Sequence, residues 1–294
     1  MKNLTKFGMM LLAAALCVGM SSCSDDDDKE VGVGGSLSFA SNNPLISKGK
    51  KLLTKIVTES DYDDESYSFM YDSHFRPIKI TNESGTWGEN TYIDYETGII
   101  YDDEEADGKI TFTPQGYIKG YSYSWSGEYG GYKEGNTSCT YNSEGHLTKT
   151  EWTDQWREEN EAGTDFGVVS LVWKDGNMVK ATYSWKETWN GGKDEETSYS
   201  TIEYSYLDNI FRQFPSGFMQ VVDLVDDVIA SVGLLGIGPK KLPKKIVWDN
   251  GETYTFEYIL NADGSIRQET VTKNGDSDGY NYTKTYSYSY TPIE

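Results

Sequence analysis

Two short segments hold indoles at a spacing that could grip a ring. Trp152-Thr-Asp-Gln-Trp156 and Trp185-Lys-Glu-Thr-Trp189 each carry two tryptophans four residues apart, and along an extended strand that spacing puts both on one face. Together with Trp125 they offer a platform on which sugar rings would stack. The same residues suit the packed interior of a sheet equally well, the ordinary place for a stock of 23 Tyr, 8 Trp and 10 Phe.

Other chemistry is sparse. Paired carboxylates would serve glycoside hydrolysis, but 47 acidic residues without a motif say nothing about placement, so no catalytic residues and no enzyme are expected. The acidic run Asp102-Asp-Glu-Glu-Ala-Asp-Gly108 has the density of a calcium loop, yet Pro114 stands where the closing Glu of an EF-hand belongs. No metal site or cofactor is expected. The two histidines, His74 and His146, fall in polar turns and are expected to be exposed. Cys139 has no partner in the body of the chain and is expected to be a buried small side chain.

The N-terminus carries an address. Lys2 and Lys6 precede an apolar run from Phe7 to Val18, too short to cross a bilayer as a helix. It ends in Gly19-Met20-Ser21-Ser22-Cys23, which resembles a lipobox, so residues 1–22 are expected to be cleaved and Cys23 lipidated. The following Ser24-Asp25-Asp26-Asp27-Asp28-Lys29-Glu30 resembles the export signal of Bacteroidetes lipoproteins displayed on the outer face of the outer membrane. A solvated tether with a periplasm-facing body is the other reading of such a charge block. Residues 23–47 are read as this acidic, Gly/Ser-rich tether and 48–294 as one domain. A formal charge of −21 repels nucleic acid and anionic lipid, which makes both poor candidates for partners. The expected partners are a membrane, reached through the N-terminal lipid, and a glycan or other envelope component.

The elements that must position these residues read as strands almost throughout. Tyr121-Ser-Tyr-Ser-Trp125, Ile202-Glu-Tyr-Ser-Tyr206, Thr253-Tyr-Thr-Phe-Glu-Tyr258 and Tyr286-Ser-Tyr-Ser-Tyr290 alternate aromatic with polar residues. Turn clusters such as Lys174-Asp-Gly176 and Asp249-Asn-Gly251 separate them, and the result is a long up-and-down antiparallel meander. A hairpin motif recurs at uneven intervals: an aromatic or apolar residue, a polar turn, an aliphatic residue, then Lys or Arg. Tyr71-Asp-Ser-His-Phe-Arg-Pro-Ile-Lys79 and Tyr141-Asn-Ser-Glu-Gly-His-Leu-Thr-Lys149 show it best. One segment breaks the pattern. Phe218, Val221, Val222, Val225, Val228, Ile229 and Val232 recur at helical spacing opposite Asp223, Asp226 and Asp227, which predicts one amphipathic helix of about five turns near 217–235.

The leader, the Tyr-Asn-Ser-Glu-Gly-His turns and the helix running into Leu234-Leu-Gly-Ile-Gly-Pro-Lys-Lys-Leu-Pro-Lys-Lys-Ile246 together resemble a Bacteroidetes lipoprotein family of unknown function with a porin-like β fold. The similarity covers most of residues 50–294. It implies a mainly β chain whose meander forms a strongly curved sheet or barrel with the helix packed on or in it, and it implies no established activity. Charge on both faces of Glu151–Glu159 and Lys186–Asn190 argues against a barrel that crosses lipid. The expected role is non-catalytic binding or scaffolding by an outer-membrane-anchored lipoprotein. A carrier of an apolar molecule inside the barrel ranks second and a hydrolase third.

Overall fold

A computed structural model describes residues 39–60, 64–83, 89–101, 106–126, 131–158, 161–222, 227–274 and 281–293. The strands in the first half are β1 (Lys51–Ser60), β2 (Glu65–Tyr71), β3 (Pro77–Asn82), β4 (Glu89–Asp94), β5 (Ile99–Tyr101), β6 (Ala106–Phe112), β7 (Ile118–Ser126) and β8 (Tyr132–Tyr141). They are followed by β9 (Leu147–Glu158), β10 (Glu161–Lys174), β11 (Asn177–Trp189), β12 (Gly192–Asp208), β13 (Lys241–Trp248), β14 (Thr253–Leu260), β15 (Ile266–Asn274) and β16 (Tyr282–Pro292). Each pairs with the next, and β1 pairs with β16, so these described strands close into an antiparallel barrel. Closure leaves no unpaired edge.

The recurring hairpin motif has a structural reason. At Asp72 and Asn142 the side-chain oxygen accepts backbone N–H groups two and four residues on, at 2.8–3.0 Å, which builds the turn. A register shift falls at the residue that opens each motif: Tyr71, Phe112, Tyr141, Trp173 and Leu260. Three of these, joined by Tyr95 and Tyr204, then donate across to the carbonyl of an earlier hairpin. The bonds are Tyr71 Oη to Leu53 O (2.6 Å), Tyr95 Oη to Pro77 O (3.0 Å), Tyr141 Oη to Ile118 O (2.7 Å), Trp173 Nε1 to Leu147 O (2.7 Å) and Tyr204 Oη to Met178 O (2.8 Å). Tyr71, Tyr141 and Trp173 of the motif, with Tyr95 and Tyr204, thus stitch neighbouring hairpins together.

Much of the inward face is apolar, and the outward positions of β9 and β16 are polar, unlike those of a lipid-spanning barrel. Inward positions Leu53, Ile56, Ile80, Ile93, Ile100, Ile110, Ile246 and Val271 are buried. The alternate positions carry Lys149, Glu151, Thr153, Gln155 and Arg157 on β9, and Thr283, Thr285, Ser287 and Ser289 on β16. Thr197–Ser184 and Thr272–Thr283 hydroxyl pairs and the Lys149–Glu151 ion pair sit on this outer surface.

Residues 209–240 leave β12 and return to β13 through the lumen. Asn209 ties the two ends, donating from Nδ2 to Gln213 O and Pro239 O. Two short helices replace the single five-turn helix expected at 217–235: α3 (Ser216–Val222) and α4 (Asp227–Ser231), with Val225 and its acidic neighbours outside the described residues. Ser216 Oγ and Ser231 Oγ lie 2.6 Å apart, so the chain doubles back instead of running straight. Enclosure by the barrel explains why Phe218, Met219, Val222, Ala230, Leu234 and Leu235 are all nearly inaccessible. The helical segment is thus in the barrel, a plug rather than a surface helix.

The plug is held at its inner end by Glu269 on β15. This fully buried carboxylate accepts from Gly217 N (2.9 Å), Phe218 N (3.1 Å), Tyr288 Oη (2.8 Å) and Tyr258 Oη (3.4 Å). Burial pushes its pKa up to about 7 against those donors. At the rim the plug meets His146, whose Nδ1 lies 2.9 Å from Ile237 O and whose ring stacks on Trp173 at 4.1 Å. His146 is therefore buried, not exposed as its turn position implied, because the plug packs on that hairpin; His74 is exposed.

The packed body includes residues that composition assigns to the tether. Residues 39–47, assigned above to the tether, form α1 (Phe39–Asn42) and α2 (Pro44–Ser47). Phe39 is fully buried against the Gly116 turn, and Asn43 Nδ2 donates to Val232 O of the plug. Cys139 is buried, and burial raises its thiol to about 11.

Candidate ligand-binding wall in the barrel lumen

The long strands β7–β12 present a regular pattern on their inward face. Cross-strand register defines three rows. The first runs Tyr121, Thr137, Trp152, Gly167, Trp185, Glu196. The second runs Tyr123, Gly135, Asp154, Asp165, Glu187, Asp194. The third runs Trp125, Lys133, Trp156, Gly163, Trp189, Gly192. A row of carboxylates thus lies between two rows that carry indoles.

Glycine makes the indole rows fit. A Cβ on Gly167 would run into the six-membered ring of Trp152, and one on Gly163 into that of Trp156, so each ring lies over the neighbouring strand's bare backbone. Trp152 also packs against Tyr183, with centroids 5.6 Å apart. Trp152, Trp156, Trp185 and Trp189 are all half-buried. Their faces line a concave lumen rather than a flat outer platform, because the inward face of a closed barrel is the only one these alternate residues share. Trp125 holds its register opposite Lys133, but its side chain lies outside the described residues.

Electrostatics concentrate in the middle row. Asp154 is buried and pairs with Lys133 at 3.2 Å, with Lys133 Nζ 6.0 Å from the Tyr123 ring. Burial, reinforced by Asp154, pushes the Asp165 carboxyl above the usual carboxylate range, while the Trp156 indole and Lys133 pull it down. Burial together with Asp165 and Asp194 raises Glu187 in the same sense. Like charges placed directly opposite on adjacent strands cost stability, so this row exists at the expense of the fold.

The row was legible but missed. In Trp152-Thr-Asp-Gln-Trp156 and Trp185-Lys-Glu-Thr-Trp189 the middle acid has the parity of the indoles, and Gly163-Thr-Asp-Phe-Gly167 repeats the arrangement with glycine for tryptophan. Period 2 alone puts Trp, acid and Trp on one face. No group of three or more His, Cys, Asp or Glu suited to hold a metal occurs among the described residues. The acidic loop at 102–107 has its side chains outside them.

No protein-family model matches the chain, and no curated protein does. Solved structures do match it. A porin-like protein from Bacteroides uniformis aligns with a TM-score of 0.56 at 17% identity, covering 81% of this chain and 98% of its own. The fold is a porin-like barrel. A second porin-like protein, from Bacteroides vulgatus, aligns over 82% of this chain and 99% of its own, with 13% identity and a TM-score of 0.44. At these identities the likeness concerns the fold, and the reading of this porin-like barrel's site rests on its own residues.

Proposed function

We propose that the chain is a lipid-anchored envelope protein whose barrel binds a carbohydrate, without turning it over, against the indole-lined wall of β7–β12. The carrying observation is that Trp152 and Trp185 share one register row, and Trp156 and Trp189 another, with acids between them. Indole faces stack on the C–H faces of sugar rings, and carboxylates accept from hydroxyls. Asp154 and Asp165 are neighbours on one wall, so both approach a ligand from the same side. Hydrolysis needs carboxyls that flank the scissile bond, which is why binding is favoured over the hydrolase reading. The apolar-carrier reading needs an empty apolar interior, and the plug fills that part of the lumen.

The polar outer face supports a body that stands in water, with Cys23 as its attachment to the outer membrane and the acidic stretch after it directing surface display. Cys23 itself lies outside the described residues. Cys23→Ser is expected to abolish incorporation of a clickable palmitate analogue in cells and to release the protein from the membrane fraction; retention of the label would refute the anchor. For the binding site, the full chain is screened on a glycan array and hits are titrated by calorimetry. Trp152→Ala with Trp185→Ala should weaken binding by about tenfold per indole, the equivalent of about 1.4 kcal/mol each, with the melting transition retained. Unchanged affinity in the folded double variant would remove the wall from the reading.

A further inference from the structure

Building on the carbohydrate-binding reading, we infer that the sugar taken by this wall carries a free, protonated amino group. Four carboxylates, Asp154, Asp165, Glu187 and Asp194, follow one another across four strands. Among the described residues, the cation paired with this row is Lys133, and it is engaged by Asp154. Elsewhere in the barrel, inward lysines are already matched: Lys273 with Glu252 at 3.2 Å and Lys284 with Glu65 at 3.4 Å.

Two polar atoms in that wall have no partner within the protein. Asp165 Oδ1 is shielded from solvent and accepts no hydrogen bond, and Trp185 Nε1 is likewise shielded and donates none. Buried polar groups are almost always paired, so these two shielded atoms on adjacent strands mark polar positions that a ligand can complete, the Trp156 indole already engaging the Asp165 carboxyl. A neutral sugar would satisfy the hydrogen bonds but leave the Asp165 and Glu187 carboxyls facing each other across adjacent strands. An ammonium on the sugar ring satisfies Asp165 and relieves the repulsion along the row, with the indoles on either side adding cation–π attraction.

The test compares a fully deacetylated glucosamine tetramer, the N-acetylated tetramer and cellotetraose by calorimetry on the full chain. About 0.3 M salt is included to screen the overall charge. The expected result is at least tenfold tighter binding of the deacetylated tetramer than of either neutral one. Asp165→Asn with Glu187→Gln should abolish that preference, the deacetylated tetramer then binding within about twofold of the neutral ones. Equal affinity for charged and neutral tetramers would overturn the inference and leave the carbohydrate reading intact. A preference that survives in the double variant would also overturn it, because it would then arise from the chain's overall charge. Binding of none of the three would overturn both.

Discussion

Replacing Glu269 by Ala is expected to lower the stability of the chain by about 3–5 kcal/mol, measured by urea unfolding at pH 7. The substitution strands two backbone N–H groups at the start of α3 and the hydroxyls of Tyr258 and Tyr288, all inside the barrel and out of reach of water. It also opens a void where the carboxylate was. Tyr288 Oη accepts from Ser216 N while donating to Glu269, so its loss is felt along the entry to the plug. A destabilisation under about 1 kcal/mol would mean that α3 is not held by this contact. Glu269 also gives the fold a pH dependence of definite sign. Its folded pKa of about 7 lies above the ordinary value of 4.5, so the folded state holds this proton more tightly than the unfolded one. The resulting stabilisation is complete below the ordinary value and is lost as pH rises through about 7. Glu269→Gln should flatten that part of the stability profile.

Gly167→Ala is expected to damage the binding wall more than its size suggests. The new methyl group falls on the Trp152 ring and lies between two backbones that cannot separate without breaking the ladder. The indole must leave its place, at a cost of about 1–3 kcal/mol in stability. Ligand affinity should fall at least as far as in Trp152→Ala, because the displaced ring also obstructs the lumen. Adding Trp152→Ala to Gly167→Ala removes the clash, so the double variant should be more stable than the sum of the single effects predicts, with a coupling of about 0.5–3 kcal/mol. Strict additivity would show that the ring does not lie over Gly167. The same cycle at Gly163 and Trp156 probes the other indole row.

Much of this architecture can be read from residue order. Alternation of Tyr and Trp with Ser, Thr and Glu specifies strands, and Asp-Gly, Asn-Gly and Asx turns specify where they reverse, because both depend only on neighbours along the chain. The burial of Cys139 follows from equally local reasoning. The helix at 217–235 shows the limit of such reasoning. Its apolar spacing was real, since Phe218, Val221, Val222, Val228, Ile229 and Val232 are buried. One continuous helix was still the wrong expectation, because spacing describes a face and not whether the chain doubles back within it. His146 was misplaced for the same reason: its turn looks solvent-exposed until the plug, about 90 residues away in sequence, packs over it.

The sequence by itself determined the strand-and-turn order, the Trp–acid–Trp parity of β9 and β11, and the polar outward face. Only the tertiary structure decided that the sheet closes, that residues 209–240 turn inward to fill one part of the lumen, and that the indoles line its concave wall. The physical reason is that parity says which residues share a face. Whether that face looks onto water or into a barrel depends on the pairing of β1 with β16, and those partners lie at opposite ends of the chain.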